Sequence, residues 1–213
     1  MRLHNFFRSS TSTRLRVALN LKGLTYEYVA YSLRDGDHRA PGYLAKNPAG
    51  LVPALELDDG AVLTQSLAII EWLDETHPSP LLLPPDTLGR ARVRSLAQMI
   101  ACDLHPLNNL RVLNRLRMQF EAGEEAVADW FRHWVRETLD AFEARLAGSS
   151  HTGKFCHGDV PTLADICLYA QVWNNQRFGI SLEAWPTIAT IFAHLDAIAA
   201  FRDAAPSNQP DAE

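Results

Sequence analysis

The run Arg8-Ser9-Ser10-Thr11-Ser12-Thr13-Arg14-Leu15-Arg16 packs five hydroxyls and three guanidinium groups into nine residues. It follows the apolar stretch Leu3 to Phe7 and precedes Leu15, Ala18 and Leu19 at helical spacing, so it reads as the turn from a strand into a helix. A helix N-terminus presents unbonded amides and the positive end of the dipole, and both favour an anion. Hydroxyls at that point can donate to an oxyanion or a thiolate. A structural reading fits the same residues: a well-supplied N-cap followed by a basic helix face.

Three further groups carry chemical potential. Pro53 stands at the entrance of a strand; about 5% of X–Pro bonds are cis, and a cis Val52-Pro53 bond would leave the Val52 amide and carbonyl open to an extended peptide ligand. An edge-strand proline is the alternative. Gln65-Ser66 begins another helix and offers donors suited to a carboxylate. In the helical half, Pro106 should kink a helix near His105; Asn109, four residues on, shares a face with His105, and Arg111 lies close by. Thr162-Leu163-Ala164-Asp165 has the form of a capping box and is structural. The chain lacks GxGxxG, P-loop, GxSxG and HExxH motifs.

The elements that hold these groups fall into two parts. Leu3–Phe7 reads as a strand, followed by a helix ending at Lys22-Gly23 and a second strand over Tyr26–Leu33. Residues 34–50 are loop with one short helix. Leu51–Leu57 is a third strand, Asp58-Asp59-Gly60 a hairpin turn, Ala61–Thr64 a fourth strand and Gln65–His77 a helix. The order is βαβ followed by ββα. Prolines from Pro78 to Pro85 break both patterns and mark a boundary. Beyond it the pattern is helical: Arg90–Phe120 as one long or broken helix, Glu124–Leu146, Thr162–Phe178 and Pro186–Ala200, with a polar tail from Pro206. The fold class is α+β in two domains: residues 1–80, and an all-α bundle over residues 87–213.

Composition narrows the function. The 213 residues are 47% hydrophobic and 21% charged, with net charge −5, which is ordinary globular composition and argues against a nucleic-acid binder. No apolar run approaches the roughly 20 residues that span a membrane. Cys102, Cys156 and Cys167 are odd in number and lack metal spacing, so we expect a reduced, cytoplasmic protein with no metal. Residues 1–55 nevertheless hold eight basic and three acidic residues, which marks a candidate region for small anions.

These pieces resemble the zeta class of glutathione transferases, and within it the maleylacetoacetate and maleylpyruvate isomerases. The resemblance spans the whole chain. It rests on the serine–arginine run above, Asn47-Pro48, Leu51-Val52-Pro53-Ala54-Leu55, Gln65-Ser66-Leu67-Ala68-Ile69-Ile70-Glu71 and Gly158-Asp159-Val160-Pro161-Thr162-Leu163-Ala164-Asp165. It implies a thioredoxin-like N-terminal domain, an all-helical C-terminal domain, a homodimer, and glutathione as cofactor in the cleft between domains. Ser9 matches the catalytic serine, with Ser10 and Thr11 in the same run. His38, Val52, Pro53, Gln65, Ser66, His105, Asn109 and Arg111 match glutathione-binding positions. Arg8 and Arg177 match positions for the carboxylates of a small dicarboxylate substrate. Many members carry Cys where this chain has Thr11, which puts auxiliary reactions of that Cys in doubt.

The implied reaction is cis–trans isomerisation in aromatic-compound catabolism, by reversible addition of the glutathione thiolate to a cis enone. Lowering a thiol pKa from about 8.5 by two units requires about 2.7 kcal/mol. A helix dipole supplies about 0.3–2 kcal/mol and a charge-assisted hydrogen bond from Ser9 about 1.5–3 kcal/mol, which together suffice. A conjugating transferase acting on halogenated or electrophilic compounds is the alternative, and a non-catalytic adaptor the third reading.

Overall fold

The computed structural model describes all 213 residues. The chain forms two compact units, Met1–Leu82 joined by Ala197–Glu213, and Leu83–Asp196.

In the first unit, strand β1 (Arg2–Asn5) lies at the centre of the sheet, with Leu3, His4 and Asn5 all buried. It pairs in parallel with β2 (Glu27–Ala30), and a parallel pair needs a crossover, here helix α1 (Ser10–Leu21). On its other side β1 pairs antiparallel with β3 (Ala54–Glu56), which pairs antiparallel with β4 (Val62–Thr64), giving the order β2-β1-β3-β4. Between β2 and β3 run a 3-10 turn (Asp37–Arg39) and the one-turn helix α2 (Pro41–Leu44). Helix α3 (Ser66–Thr76) follows β4 and buries Ile69, Ile70 and Leu73. The Lys22 ammonium is fully buried and bonds the Asp74 carboxylate at 2.7 Å and the carbonyls of His77 and Pro80 at 2.7 and 2.5 Å. It thereby ties the end of α1 to the end of α3. The architecture is the expected α+β arrangement.

The strands are shorter than the sequence pattern indicates. After Tyr31 the backbone turns away, because the Ser32 amide donates to Asp37 Oδ2 at 2.9 Å. Before β3, the Leu51 carbonyl is taken by Tyr43 Oη at 2.6 Å and Asn47 Nδ2 at 2.7 Å, and Pro53 has no amide to give.

The boundary reading over residues 87–213 needs one correction: the last 17 residues cluster with the first unit. Within them, the polar tail from Pro206 is tied to the first unit. Helix α10 (Ala199–Arg202) and a 3-10 turn (Pro206–Asn208) pack there. The Arg16 guanidinium, completely buried, donates to the Ala204 carbonyl at 3.1 Å, and Asn20 Nδ2 to the Ala200 carbonyl at 3.0 Å. Asp211 accepts from the Phe7 amide at 3.1 Å and from the Tyr28 hydroxyl.

The second unit is entirely helical. The stretch read as one long or broken helix is broken. Helix α4 (Thr87–Gln98) starts on an Asp86 cap that accepts from the Gly89 amide at 2.7 Å. It passes into a π-helical segment over Met99–Leu104, then the single turn α5 (His105–Leu107) and helix α6 (Leu110–Phe120). Pro106 lacks the amide that an unbroken ladder needs, so the backbone widens ahead of it. Helix α7 (Glu124–Ala147) buries Val127, Phe131, Val135, Leu139, Phe142 and Leu146 at three- and four-residue spacing. Helix α8 (Leu163–Gln176) is buried along nearly its whole length, and α9 (Pro186–Asp196) buries Ile188, Ile191 and Leu195. The capping box forms as expected: Asp165 accepts from the Thr162 amide at 2.8 Å and hydroxyl at 2.7 Å, and from the Cys156 amide at 2.8 Å. No helix is long and apolar enough to cross a membrane.

Candidate active site

Ser9 is the N-cap of α1. Its backbone is extended (φ −71°, ψ 119°), and its Oγ accepts from the Ser12 amide at 3.3 Å. The Ser9 amide donates to the Phe6 carbonyl at 3.1 Å, which closes the turn leaving β1. Capping still leaves the Ser10 and Thr11 amides without a protein acceptor, as the geometry of a first helical turn requires. Ser10 is buried as the first residue of the helix.

Hydroxyls order this corner. Thr11 Oγ1 donates to the Val52 carbonyl at 2.9 Å and lies 2.8 Å from Ser9 Oγ. A hydroxyl has one proton, and the carbonyl can only accept. Thr11 therefore spends its proton on Val52 and accepts from Ser9. The chain runs Ser9 to Thr11 to Val52. It links the helix N-terminus to the loop before β3, where the Val52-Pro53 bond is cis. The expectation that both polar groups of Val52 stand open to a ligand needs correction for the carbonyl. The carbonyl is engaged by Thr11, whereas the amide donates to no protein group.

Gln65 and Ser66 stand at the N-terminus of α3. Gln65 is exposed and has φ 69°, a left-handed conformation that a side chain seldom adopts. Holding it costs about 1–3 kcal/mol, the kind of strain that collects at ligand sites. It is followed by helix-start amides, the first bonded one being Ile69, which donates to the Gln65 carbonyl at 3.0 Å. His38 sits half-buried in the 3-10 turn, and burial together with Arg39 lowers its pKa.

Most cations of residues 1–55 have partners within the chain, some at the surface and some buried, which narrows the reading of this segment as a candidate region for small anions. Arg2 pairs with Glu27 at 2.8 Å, Lys46 with Glu56 at 2.7 Å, Arg34 with Glu213 at 2.5 Å, and Lys22 with Asp74. Arg16 is bound by the Phe7 and Ala204 carbonyls, Asn5 Oδ1 and Thr13 Oγ1 at 2.8 to 3.1 Å. Arg8 is different. It has no carboxylate partner and lies 5.9 and 5.6 Å from the Phe6 and Phe7 ring centroids, while burial and Arg34 push its pKa down.

In the second unit, His105 Nε2 and Asn109 Nδ2 meet at 3.3 Å, as their spacing suggested. Asn109 is not a mid-helix residue, however. It caps α6, and its Oδ1 accepts from the Arg111 amide at 3.1 Å. The Arg111 side chain is exposed. Arg177 is the C-cap of α8, donates to Asn174 Oδ1 at 3.1 Å and lies 5.7 Å from the Phe178 centroid.

The sequence reading assigned no role to two supporting residues. Asp211 holds the Phe7 amide, two residues before Ser9, and Asn108 donates to the Phe131 carbonyl at 3.1 Å. Neither has a local signal, because each acts on a residue far away in the chain.

Residues 8–76 match the glutathione S-transferase N-terminal domain and residues 124–174 the glutathione S-transferase C-terminal domain. The chain belongs to the glutathione S-transferase family, in its zeta class. It is 50% identical to a maleylpyruvate isomerase from Ralstonia sp over 212 residues, 99% of each chain. A holo structure of a maleylpyruvate isomerase, described as a bacterial zeta-class glutathione S-transferase, superposes with TM-score 0.97 at 48% identity, covering 100% of both chains. A maleylacetoacetate isomerase from Methylobacterium extorquens AM1, solved with malonate and glutathione, gives TM-score 0.97 at 41% identity, again covering 100% of both chains.

Proposed function

We propose that this glutathione S-transferase is a glutathione-dependent cis–trans isomerase of a maleyl-type dicarboxylate. It would convert maleylacetoacetate to fumarylacetoacetate, or maleylpyruvate to fumarylpyruvate. The observation that carries the reading is the Ser9–Thr11–Val52 hydroxyl chain at the N-terminus of α1, beside a Val52 amide that no protein group satisfies. An unmet amide next to a strand entrance suits the backbone of a peptide cofactor, and an N-cap hydroxyl beside free amides suits a thiolate. Relatives solved with glutathione, one of them together with malonate, support both the cofactor and the dicarboxylate class.

Glutathione, when bound, supplies a thiol whose addition and expulsion lets the cis double bond rotate, so it is regenerated. The chain's own residues do the rest. Ser9 turns its proton from Thr11 toward the sulphur, and the first-turn amides of α1 add the positive end of the helix. Val52 pairs with the cofactor backbone through its amide. Pro53 shapes that loop. Gln65 and Ser66 receive the γ-glutamyl carboxylate at the start of α3, and His38 lies toward the glycine end. His105, Asn109 and Arg111 are further glutathione contacts. Arg8 and Arg177 receive the substrate carboxylates, because a guanidinium fork matches a carboxylate and Arg8, set beside the Phe6 and Phe7 rings, has no carboxylate partner of its own. We further propose a homodimer, which sedimentation equilibrium would test.

The experiment is a glutathione-dependent assay with both maleyl substrates and a chlorinated acceptor side by side. Isomerisation faster than conjugation is expected, and Ser9→Ala should reduce it about tenfold to a thousandfold, the range for losing a charge-assisted donor. Conjugation without isomerisation would replace this reading by the transferase one.

A further inference from the structure

Arg14 is 1% exposed, yet its Nε and Nη2 have no hydrogen-bond partner and no carboxylate pairs with it. Arg16, two residues on and equally buried, shows what a structural arginine looks like in this helix: all three of its guanidinium nitrogens are bonded to the chain's own oxygens. A buried guanidinium without partners is strongly unfavourable, and such groups in folded proteins call for a catalytic, ionic or solvent explanation.

Its place on α1 supplies one. Ser10 and Thr11 precede Arg14 by four and three residues, so the three share a helix face, with neighbouring Cβ atoms about 5–6 Å apart. Helical side chains lean toward the N-terminus. The Arg14 guanidinium therefore extends along the face of Ser10 and Thr11, toward the turn that Ser9 caps. The cations of Arg2, Lys22, Arg34 and Lys46 are neutralised by carboxylates. Arg14 pairs with no carboxylate, and helix geometry directs its side chain toward the turn that Ser9 caps.

We propose that Arg14 is a positioning residue for the thiolate: its unpaired buried charge keeps the thiol of bound glutathione ionised. This deepens the isomerase reading and rests on it. The thiol proton leaves to solvent, and no bond to Arg14 forms or breaks. An opposite charge at about 4–6 Å lowers an acid's pKa by about 1–3 units, so the contribution is comparable to that of Ser9.

The test is a titration of bound glutathione by ultraviolet thiolate absorbance, with affinity measured calorimetrically, on wild type, Arg14→Met and Arg14→Lys. We expect Arg14→Met to raise the thiol pKa by about one unit or more, leaving about a tenth of the thiolate at a pH below both values. Arg14→Lys should recover most of the shift, since it keeps the charge but not the fork. A folded Arg14→Met protein with unchanged thiol pKa overturns the proposal, and so does a variant that changes only the substrate KM. If Arg14→Met fails to fold, Arg14→Lys against Arg14→Gln is read the same way. A wild-type protein that binds glutathione without lowering its thiol pKa overturns this inference and leaves the isomerase reading to its own assay. One that binds no glutathione overturns both.

Discussion

Thr11→Val isolates the hydroxyl chain at the N-terminus of α1, because valine keeps the shape of threonine and removes its hydroxyl. Ser9 donates to Thr11 over 2.8 Å and Thr11 donates to the Val52 carbonyl over 2.9 Å. Two protons serve two acceptors. A thiolate is a third acceptor for the same two protons. If Ser9 turns to it, the Ser9–Thr11 bond is lost; if Thr11 turns to Ser9 instead, the Val52 carbonyl is left without its donor. Either way one neutral hydrogen bond, worth about 1 kcal/mol, is given up when the thiolate forms. That corresponds to about 0.7 pKa units working against ionisation. Removing the Thr11 hydroxyl abolishes the competition, so the thiol pKa of bound glutathione should fall by about 0.7 units. The same change takes the donor from Val52, so the ligand-free protein should lose about 1 kcal/mol of stability and bind glutathione less tightly. The assay is the thiolate absorbance titration, run beside thermal unfolding. A thiol pKa that rises or does not move in Thr11→Val would refute the proton bookkeeping and show that Ser9 does not donate to Thr11.

The remaining predictions concern stability. Asp165→Ala removes the acceptor for the Thr162 amide and hydroxyl and for the Cys156 amide, all in buried positions. The loss should be about 3 kcal/mol, or a fall of about 6–12 °C in Tm, read by calorimetry; a shift under a degree or two would show that the cap is solvated. Lys46 first and His4 second hold the Glu56 carboxyl down at about 2. A folded pKa below the ordinary value of 4.5 gives stability that is complete above that value and disappears as pH falls from there toward about 2. Glu56→Gln should therefore flatten the acid limb of the Tm–pH curve while changing its slope little near neutrality. An acid limb of unchanged slope would remove Glu56 from the acid transition.

Reading from sequence works here wherever the governing interaction is local. The N-cap at Ser9, the capping box at Thr162 and Asp165, the start of α3 at Gln65-Ser66 and the break around Pro106 each depend on residues within about four positions of one another, and each was legible. The βαβ-ββα order followed from hydrophobic periodicity and turn residues for the same reason. The strand ends were not legible, because the Ser32 amide and the Leu51 carbonyl are claimed by side chains whose reach no periodicity records.

Charge shows the division most clearly. By itself the sequence determines that residues 1–55 carry a positive excess and that three arginines flank a run of hydroxyls at a helix start. Only the tertiary structure decides what each arginine does. Arg16 is absorbed by carbonyls of the turn after the last helix and of the first loop, Arg8 rests beside two phenylalanine rings, and Arg14 is buried with two nitrogens unmet. The physical reason is that a guanidinium's role is set by the acceptors within 3 Å of it, and those come from residues up to 188 positions away.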